Sequence, residues 1–451
     1  LRKAGNGREE TAVPRIGKPP QKLRPGGGRK FPTETIAIGP GPGGDVDTWQ
    51  ASTGTAIPKG GRNREEECMK PLFTIATAAF CLVAASLSAS AEAVKIGVIG
   101  IMSGAGATWG VAGVQGMQIA IDEVNKAGGL DINGTRQEVQ LIVYDDQYKA
   151  AEAVAAYNRL VNEDKAKFIF TMSSASTLAI RDQVEADDVL VLTSAYTSKA
   201  IDSETKHIIR LYSTPQDYVP AIIGWMKAHL PGDKVVLVYP NDETGWDFAN
   251  FSSKAFETSG YKIIGKELYD RAQKDFQPLM TRVIAQNPDV IDFGPTSPST
   301  AGLILRQARE LGYKGGVSAL GGSGPREVVA AAGAAAAEGM VNMLYADHDN
   351  ESYQALAKTF RDKIGQDPNE LIVPYYDATR VLMRAMELSG EPENPEKVRA
   401  ALSQALPMKS LQGEDIAFGG KATIGTDAQF MTVNYIGNIR NGEPVAVGLA
   451  K

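Results

Sequence analysis

From residue 94 onward the chain alternates short apolar runs with longer stretches whose apolar positions recur at helical spacing. "VKIGVIGI" predicts a buried strand, followed by a helix over 108–127 that stops at Gly128-Gly129. "EVQLIVYDD" predicts a second strand and residues 150–163 a second helix. "KFIF", a helix over 176–186 and "VLVLT" continue the rhythm. Such βα repetition implies an α/β fold with a mostly parallel sheet and helices on both faces.

The rhythm restarts after "RLYSTPQD". Helices over 218–230, 246–259, 276–285 and 298–311 alternate with strands "KVVLVYP", "KIIGKELYD" and "VIDFG". Two such runs of similar length, with no Pro/Gly-rich linker between them, predict two doubly wound lobes facing each other across a cleft. The alanine-rich stretch 328–340 is expected to form one helix, because alanine is the strongest helix former. "YYDATRVLMRAMELSG" predicts a helix that ends at Gly390, with its methionines in the core.

The segment before this pattern is of another kind. "MKPLFTIATAAFCLVAASLSASAEA" has a basic start, a short apolar run and Ala89-Ser90-Ala91, as in a cleaved export signal over 69–91. Residues 1–68, with "RPGGGRK" and "GPGPGG", lack the apolar periodicity that builds a core and are expected to be an untranslated or disordered extension. The formal net charge of −6 becomes more negative once these basic-rich residues are set aside. An acidic chain is a poor partner for nucleic acid or anionic lipid. Cys68 and Cys81 both precede the expected cleavage point, and His207, His229 and His348 show no ligand spacing. No metal site, disulfide or cofactor is therefore expected.

Ligands of open α/β sheets bind beyond the carboxyl ends of strands. Four loops there carry hydroxyls or aromatics: 102–110, 171–177, 193–198 and 240–247. "TMSSAST" opens a helix, so its backbone amides with Ser173, Ser174 and Ser176 suit a carboxylate, although simple N-capping explains the serines as well. Tyr196 lies in the neighbouring hydroxyl loop, and Trp109, Tyr196 and Trp246 together fit an apolar pocket wall. No phosphate loop occurs, and "GGSGP" is not a nucleophile elbow. No nucleophile, base and orienting residue can be named together, so no enzyme is expected.

Residues 96–164, with their Met-Ser-Gly…Gly spacing, Asn…Gly-Gly…Asn-Gly turn and Tyr-Asp-Asp strand end, resemble type I periplasmic solute-binding proteins of the branched-chain amino-acid group, as does "LILRQARELGY". The resemblance implies two lobes joined by a three-crossover hinge, a Venus-flytrap, with 92–213 plus 345–429 in one lobe and 214–344 plus 430–451 in the other. It also implies a periplasmic monomer that presents its ligand to an inner-membrane ABC permease. Positions matching Ser173, Thr197 and the backbone near Ala195 hold the ligand carboxylate in that group, and Trp109 matches a covering aromatic.

The other half of the site departs from the pattern. Thr244 and Thr296 stand where the group has tyrosines, and Gly322 stands near its ammonium-binding glutamate. The group's disulfide positions align near Tyr148 and Met172. A buried ammonium without an acidic partner is costly. The expected ligand therefore bears a carboxylate and an apolar or aromatic body without a required amino group. A branched-chain or other hydrophobic amino acid is the alternative, with Asp242, Glu243 or Asp377 supplying the charge. A ligand-sensing regulator on the same fold is a further one.

Overall fold

The computed structural model describes residues 92–322 and 324–451; the extension and the export signal expected from the sequence lie outside them. Two sheets organise the chain. The first runs, in spatial order, Met408–Lys409, Asp415–Gly419, Gln429–Met431, Ile208–Arg210, Leu190–Thr193, Phe168–Thr171, Val94–Gly100 and Val139–Asp145. The second runs Glu443–Leu449, Tyr435–Arg440, Val341–Leu344, Gly316–Ala319, Val290–Asp292, Lys234–Pro240 and Lys262–Tyr269. Among the described residues the chain passes between the sheets three times: after Arg210, after Leu344 and after Met431. Each sheet with its helices forms a lobe.

The expected strands and helices occur, with ends shifted by a few residues, and the βα portions pair in parallel. One margin of each sheet is antiparallel instead, whereas Val139–Asp145 and Lys262–Tyr269 at the opposite margins are parallel. Two of these pairs, Met408–Lys409 with Asp415–Gly419 and Tyr435–Arg440 with Glu443–Leu449, are hairpins, the second turning at Asn441-Gly442 with φ 54° and 78°, and a tight hairpin can only reverse direction. The alanine-rich stretch is also not one helix. Pro325–Ala332 ends at Gly333, whose φ of 91° leaves the helical region, and a separate turn Ala334–Ala337 follows.

The helix Ile372–Ser389 ends at Gly390 as expected, with its methionines Met383 and Met386 buried. It packs against Ala107–Lys126 with the two backbones nearly touching. A Cβ at Gly116 would lie 2.3 Å from the Ile372 carbonyl oxygen, so only glycine permits this approach. That contact holds the amino ends of both helices, with Trp109 and Tyr375, over the same end of the first sheet.

Candidate functional site

Between the lobes lies a cleft cavity whose empty space, counting the solvent at its mouth, is about 500 Å³. The first lobe supplies most of its wall, and Thr244, Pro295 and Gly321 come from the second. Five aromatic rings (Trp109, Tyr148, Tyr196, Tyr212, Tyr375) and three serines (Ser173, Ser174, Ser194) line it. No charged side chain is among the described residues of the lining. Burial holds the phenols of Tyr148, Tyr196, Tyr212 and Tyr375 above their ordinary range, so they are neutral hydroxyls at physiological pH.

Most hydroxyls of the two predicted loops hold the loops together. Thr177 Oγ1 lies 2.8 Å from Thr171 Oγ1 and 2.7 Å from Thr193 Oγ1, and Thr193 Oγ1 accepts the Ala195 amide at 2.9 Å. Ser174 Oγ accepts the amides of Tyr196 and Thr197 at 3.1 and 3.2 Å. Ser173 caps the helix Ser174–Asp187 by accepting the Ser176 amide at 3.0 Å, and Ser176 itself donates to buried Asp146. Burial raises the Asp146 carboxyl above its ordinary range. The capping explanation of these serines therefore holds, and Ser173 and Ser174 reach the cavity while capping and bracing. Ser174 and Ala175 lie in the first turn, where helix geometry gives a backbone amide no intrahelical partner.

Of the expected residues, Trp109, Ser173, Ser174, Tyr196 and Thr244 line the cavity, and five do not. Ala195 spends its amide on Thr193, and Thr197 donates its hydroxyl to Asp247 across the cleft at 2.6 Å. Trp246 is 46% exposed, its indole N–H on Asn241 at 2.8 Å. Thr296 is tied to Tyr269 at 2.9 Å and to the Phe293 carbonyl, and Gly322 is packed under the Thr296 carbonyl. The three candidate acids are also elsewhere. Asp242 pairs with Arg271, Glu243 with Lys199 at 2.7 Å, and Asp377 accepts the Leu411 amide at 3.0 Å.

Sequence reasoning missed Tyr212, Tyr375, Leu371 and Arg210. Tyr212 follows the strand Ile208–Arg210, so the strand-end rule applied to "RLYSTPQD" finds it. Tyr375 sits in an apolar helix and reads as core; its hydroxyl is buried with no hydrogen-bond partner among the described residues, although the Ser194 side chain is near enough to influence it. Arg210, 1% exposed, donates to the Ala195 carbonyl at 3.0 Å and to that of Thr197, bracing the loop from behind. Burial pulls its guanidinium down to about 10, which leaves it cationic at neutral pH. Tyr148 and Met172, noted only for the absent disulfide, both line the cavity. Away from the cleft, ligand atoms of Asp188, His207 and Glu396 lie within 4.8 Å of one another, but His207 Nδ1 is already 3.1 Å from Glu185.

The lobes meet around this space. Besides Thr197 and Asp247, Asn369 donates to Glu327 at 2.9 Å, Ser299 to the Ala105 carbonyl at 3.3 Å, and Arg271 stacks on Tyr148 at 4.4 Å. Two lobes joined by three chain crossings around an uncharged, aromatic, hydroxyl-edged cavity define a binding protein for a small molecule. The chain belongs to the periplasmic binding protein family, whose model matches residues 93–443, within the type I group that includes the branched-chain amino-acid binders. It is 32% identical over 321 residues to the leucine-, isoleucine-, valine-, threonine- and alanine-binding protein of Pseudomonas aeruginosa, covering 70% of this chain and 84% of that one. It is 28% identical to the Leu/Ile/Val-binding protein of Escherichia coli, over 51% of this chain and 62% of that one. The fold is shared with a leucine-binding protein of Thermotoga maritima, at TM-score 0.69 and 23% identity over 79% of this chain and 99% of that one. It is equally shared with a solute-binding protein of R. palustris solved with benzoate, at TM-score 0.69 and 20% identity over 79% of this chain and 96% of that one. These relatives are binding proteins rather than enzymes, and so is this chain.

Proposed function

We propose that the protein is the extracytoplasmic solute-binding component of an ABC importer, exported to the periplasm, and that it captures a small carboxylate with an aromatic or apolar body. The observation that carries this reading is the cavity lining: five aromatic rings, three serines and no acid among the described residues. An α-ammonium buried there would lack a counter-charge, at a cost of several kcal/mol. A carboxylate instead meets the amino end of the helix Ser174–Asp187 and the Ser174 hydroxyl, with Ser173, whose hydroxyl donates to Ser176 at 2.6 Å, shaping the turn and buried Arg210 behind the second loop. In this reading Trp109, Tyr196 and Tyr212 enclose the ring, Thr244 closes it from the second lobe, and a monomer delivers the solute to an inner-membrane permease.

Capture of a hydrophobic amino acid is the second reading, favoured by the 32% identity to the Pseudomonas aeruginosa binder. The two are separated by thermal shift of refolded, ligand-stripped protein spanning residues 92–451, using matched pairs with and without an α-amino group. Saturation at a hundredfold over Kd adds about 2.7 kcal/mol to stability. Stabilisation by benzoate, phenylacetate or keto acids, with none from leucine or phenylalanine, supports the carboxylate reading; the reverse pattern replaces it with the amino-acid one.

A further inference from the structure

The cleft continues beyond the inner cavity. Trp109 and Tyr148 line both that cavity and a second interlobe space of about 1010 Å³, counting the solvent at its mouth. The two rings therefore stand between an inner and an outer compartment. The outer one differs in charge: Lys149, Arg271 and Lys274 line it, against the single acid Asp270. Arg271 is committed to Asp242 and to the Tyr148 ring. Lys149 bonds only the neutral Gln147, at 2.9 Å, and neither lysine forms an ion pair among the described residues. Asp270 is engaged by the Ala272 amide at 2.7 Å. A net positive wall in a chain of formal charge −6 is a local feature against the overall sign.

Resting on the carboxylate reading above, we propose that the outer compartment is a second subsite that takes the distal anionic group of an elongated aromatic dicarboxylate. The near carboxylate lies at the amino end of the helix Ser174–Asp187, the ring passes between Trp109 and Tyr148, and the far carboxylate meets Lys149 and Lys274. Two features of the structure support this assignment over simple attraction of anions by surface lysines. The compartment is walled by both lobes, so a group held there stabilises the closed form as well as binding. The outer wall is also joined to the inner one, because Arg271 fixes the Tyr148 ring that both share. The Tyr148 hydroxyl in turn interacts with Thr244 of the second lobe.

The test is calorimetric titration of ligand-stripped protein with charge-matched pairs at two lengths: p-toluate with terephthalate, and 4-methylcinnamate with 4-carboxycinnamate. Wild-type protein should bind at least one dicarboxylate about tenfold tighter than its methyl partner, the equivalent of one good charge-assisted contact. Lys149→Gln with Lys274→Gln should remove that preference and leave the methyl compounds unchanged. The proposal is overturned if no dicarboxylate is preferred at either length, or if the double variant weakens both members of a pair alike, which is the signature of long-range attraction alone. Failure of every aromatic monocarboxylate to bind would overturn the inner-site reading and this one with it.

Discussion

Thr197, on the loop after the strand Leu190–Thr193, donates its hydroxyl at 2.6 Å to Asp247, on the helix Glu243–Thr258 of the other lobe. The Ser198 amide and hydroxyl reach the same carboxylate oxygen at 2.9 and 3.3 Å. The hydroxyl of Thr197, expected from the resemblance to hold the ligand, here reaches the other lobe. Asp247→Ala removes all three contacts without touching the cavity lining, so the open form gains population. Affinity should fall roughly 10- to 100-fold, the worth of one charge-assisted hydrogen bond, while ligand-free stability changes little. Calorimetry together with small-angle scattering of the ligand-free protein checks this; unchanged affinity would remove Thr197–Asp247 from the closure mechanism.

The Tyr375 hydroxyl offers a cleaner probe of the cavity. It is buried and without a partner among the described residues, a state that costs about 1–3 kcal/mol in general. Tyr375→Phe deletes only that oxygen. The ligand-free protein should be as stable or slightly more stable in denaturant, and ligand affinity should drop by about tenfold as the hydroxyl's partner is lost. Loss of stability in the ligand-free form would instead mean that Ser194 already satisfies the group.

The residues show why some of this was legible in the sequence. The βα units were legible because a buried parallel strand such as Lys234–Pro240 is a continuous apolar run and the helices after it carry a one-sided stripe. The antiparallel margin was not: Met408–Lys409 and Gln429–Met431 are too short to show alternation. The strand-end rule placed Ser173, Ser174 and Tyr196 at the cavity. It could not separate a hydroxyl that faces a ligand from one that ties two loops together, and Thr171, Thr177 and Thr193 do the latter. Tyr375 was hidden because a cavity-facing ring on a buried helix has the same pattern as a core ring. Trp246 misled for the opposite reason: it lies in the first turn of the helix Glu243–Thr258, next to a strand end, and is largely exposed.

Asp377 gives the fold a pH dependence. It is 3% exposed, and burial pushes its carboxyl up to about 7, with Arg380 at 3.3 Å and the Leu411 amide opposing only part of that. The unfolded chain has an ordinary aspartate near 3.8, so between these values the folded state binds the extra proton. Stability contributed by this group is therefore full below about pH 4, declines as pH rises, and levels off above about 7, a total on the order of 4 kcal/mol. Asp377→Asn should flatten that slope and make the variant the more stable protein at pH 8. Urea midpoints measured from pH 5 to 8 test it; equal slopes in both proteins would mean that Arg380 keeps the group ionised.

Two glycine substitutions separate helix propensity from packing. Alanine is worth about 1 kcal/mol more than glycine inside a helix, so an unobstructed Gly→Ala change stabilises. Gly224, in Pro215–His229, has nothing within 4 Å of an added Cβ, and Gly224→Ala should raise stability by about 0.5–1 kcal/mol. Gly116 lies in a helix as well, but its Cβ would sit 2.3 Å from the Ile372 carbonyl oxygen, against backbone that cannot rotate away. Relief requires the helices Ala107–Lys126 and Ile372–Ser389 to separate, which loosens packing around Met117, Ile372 and Tyr376. Gly116→Ala should therefore lose roughly 2–4 kcal/mol despite its better propensity. Because the same two helices carry Trp109 and Tyr375 to the cavity, ligand affinity should fall with it, whereas Gly224→Ala should leave binding untouched. Parallel denaturation and titration of the two variants decides the matter, and a stabilised Gly116→Ala would show that the helices are not in the close contact described.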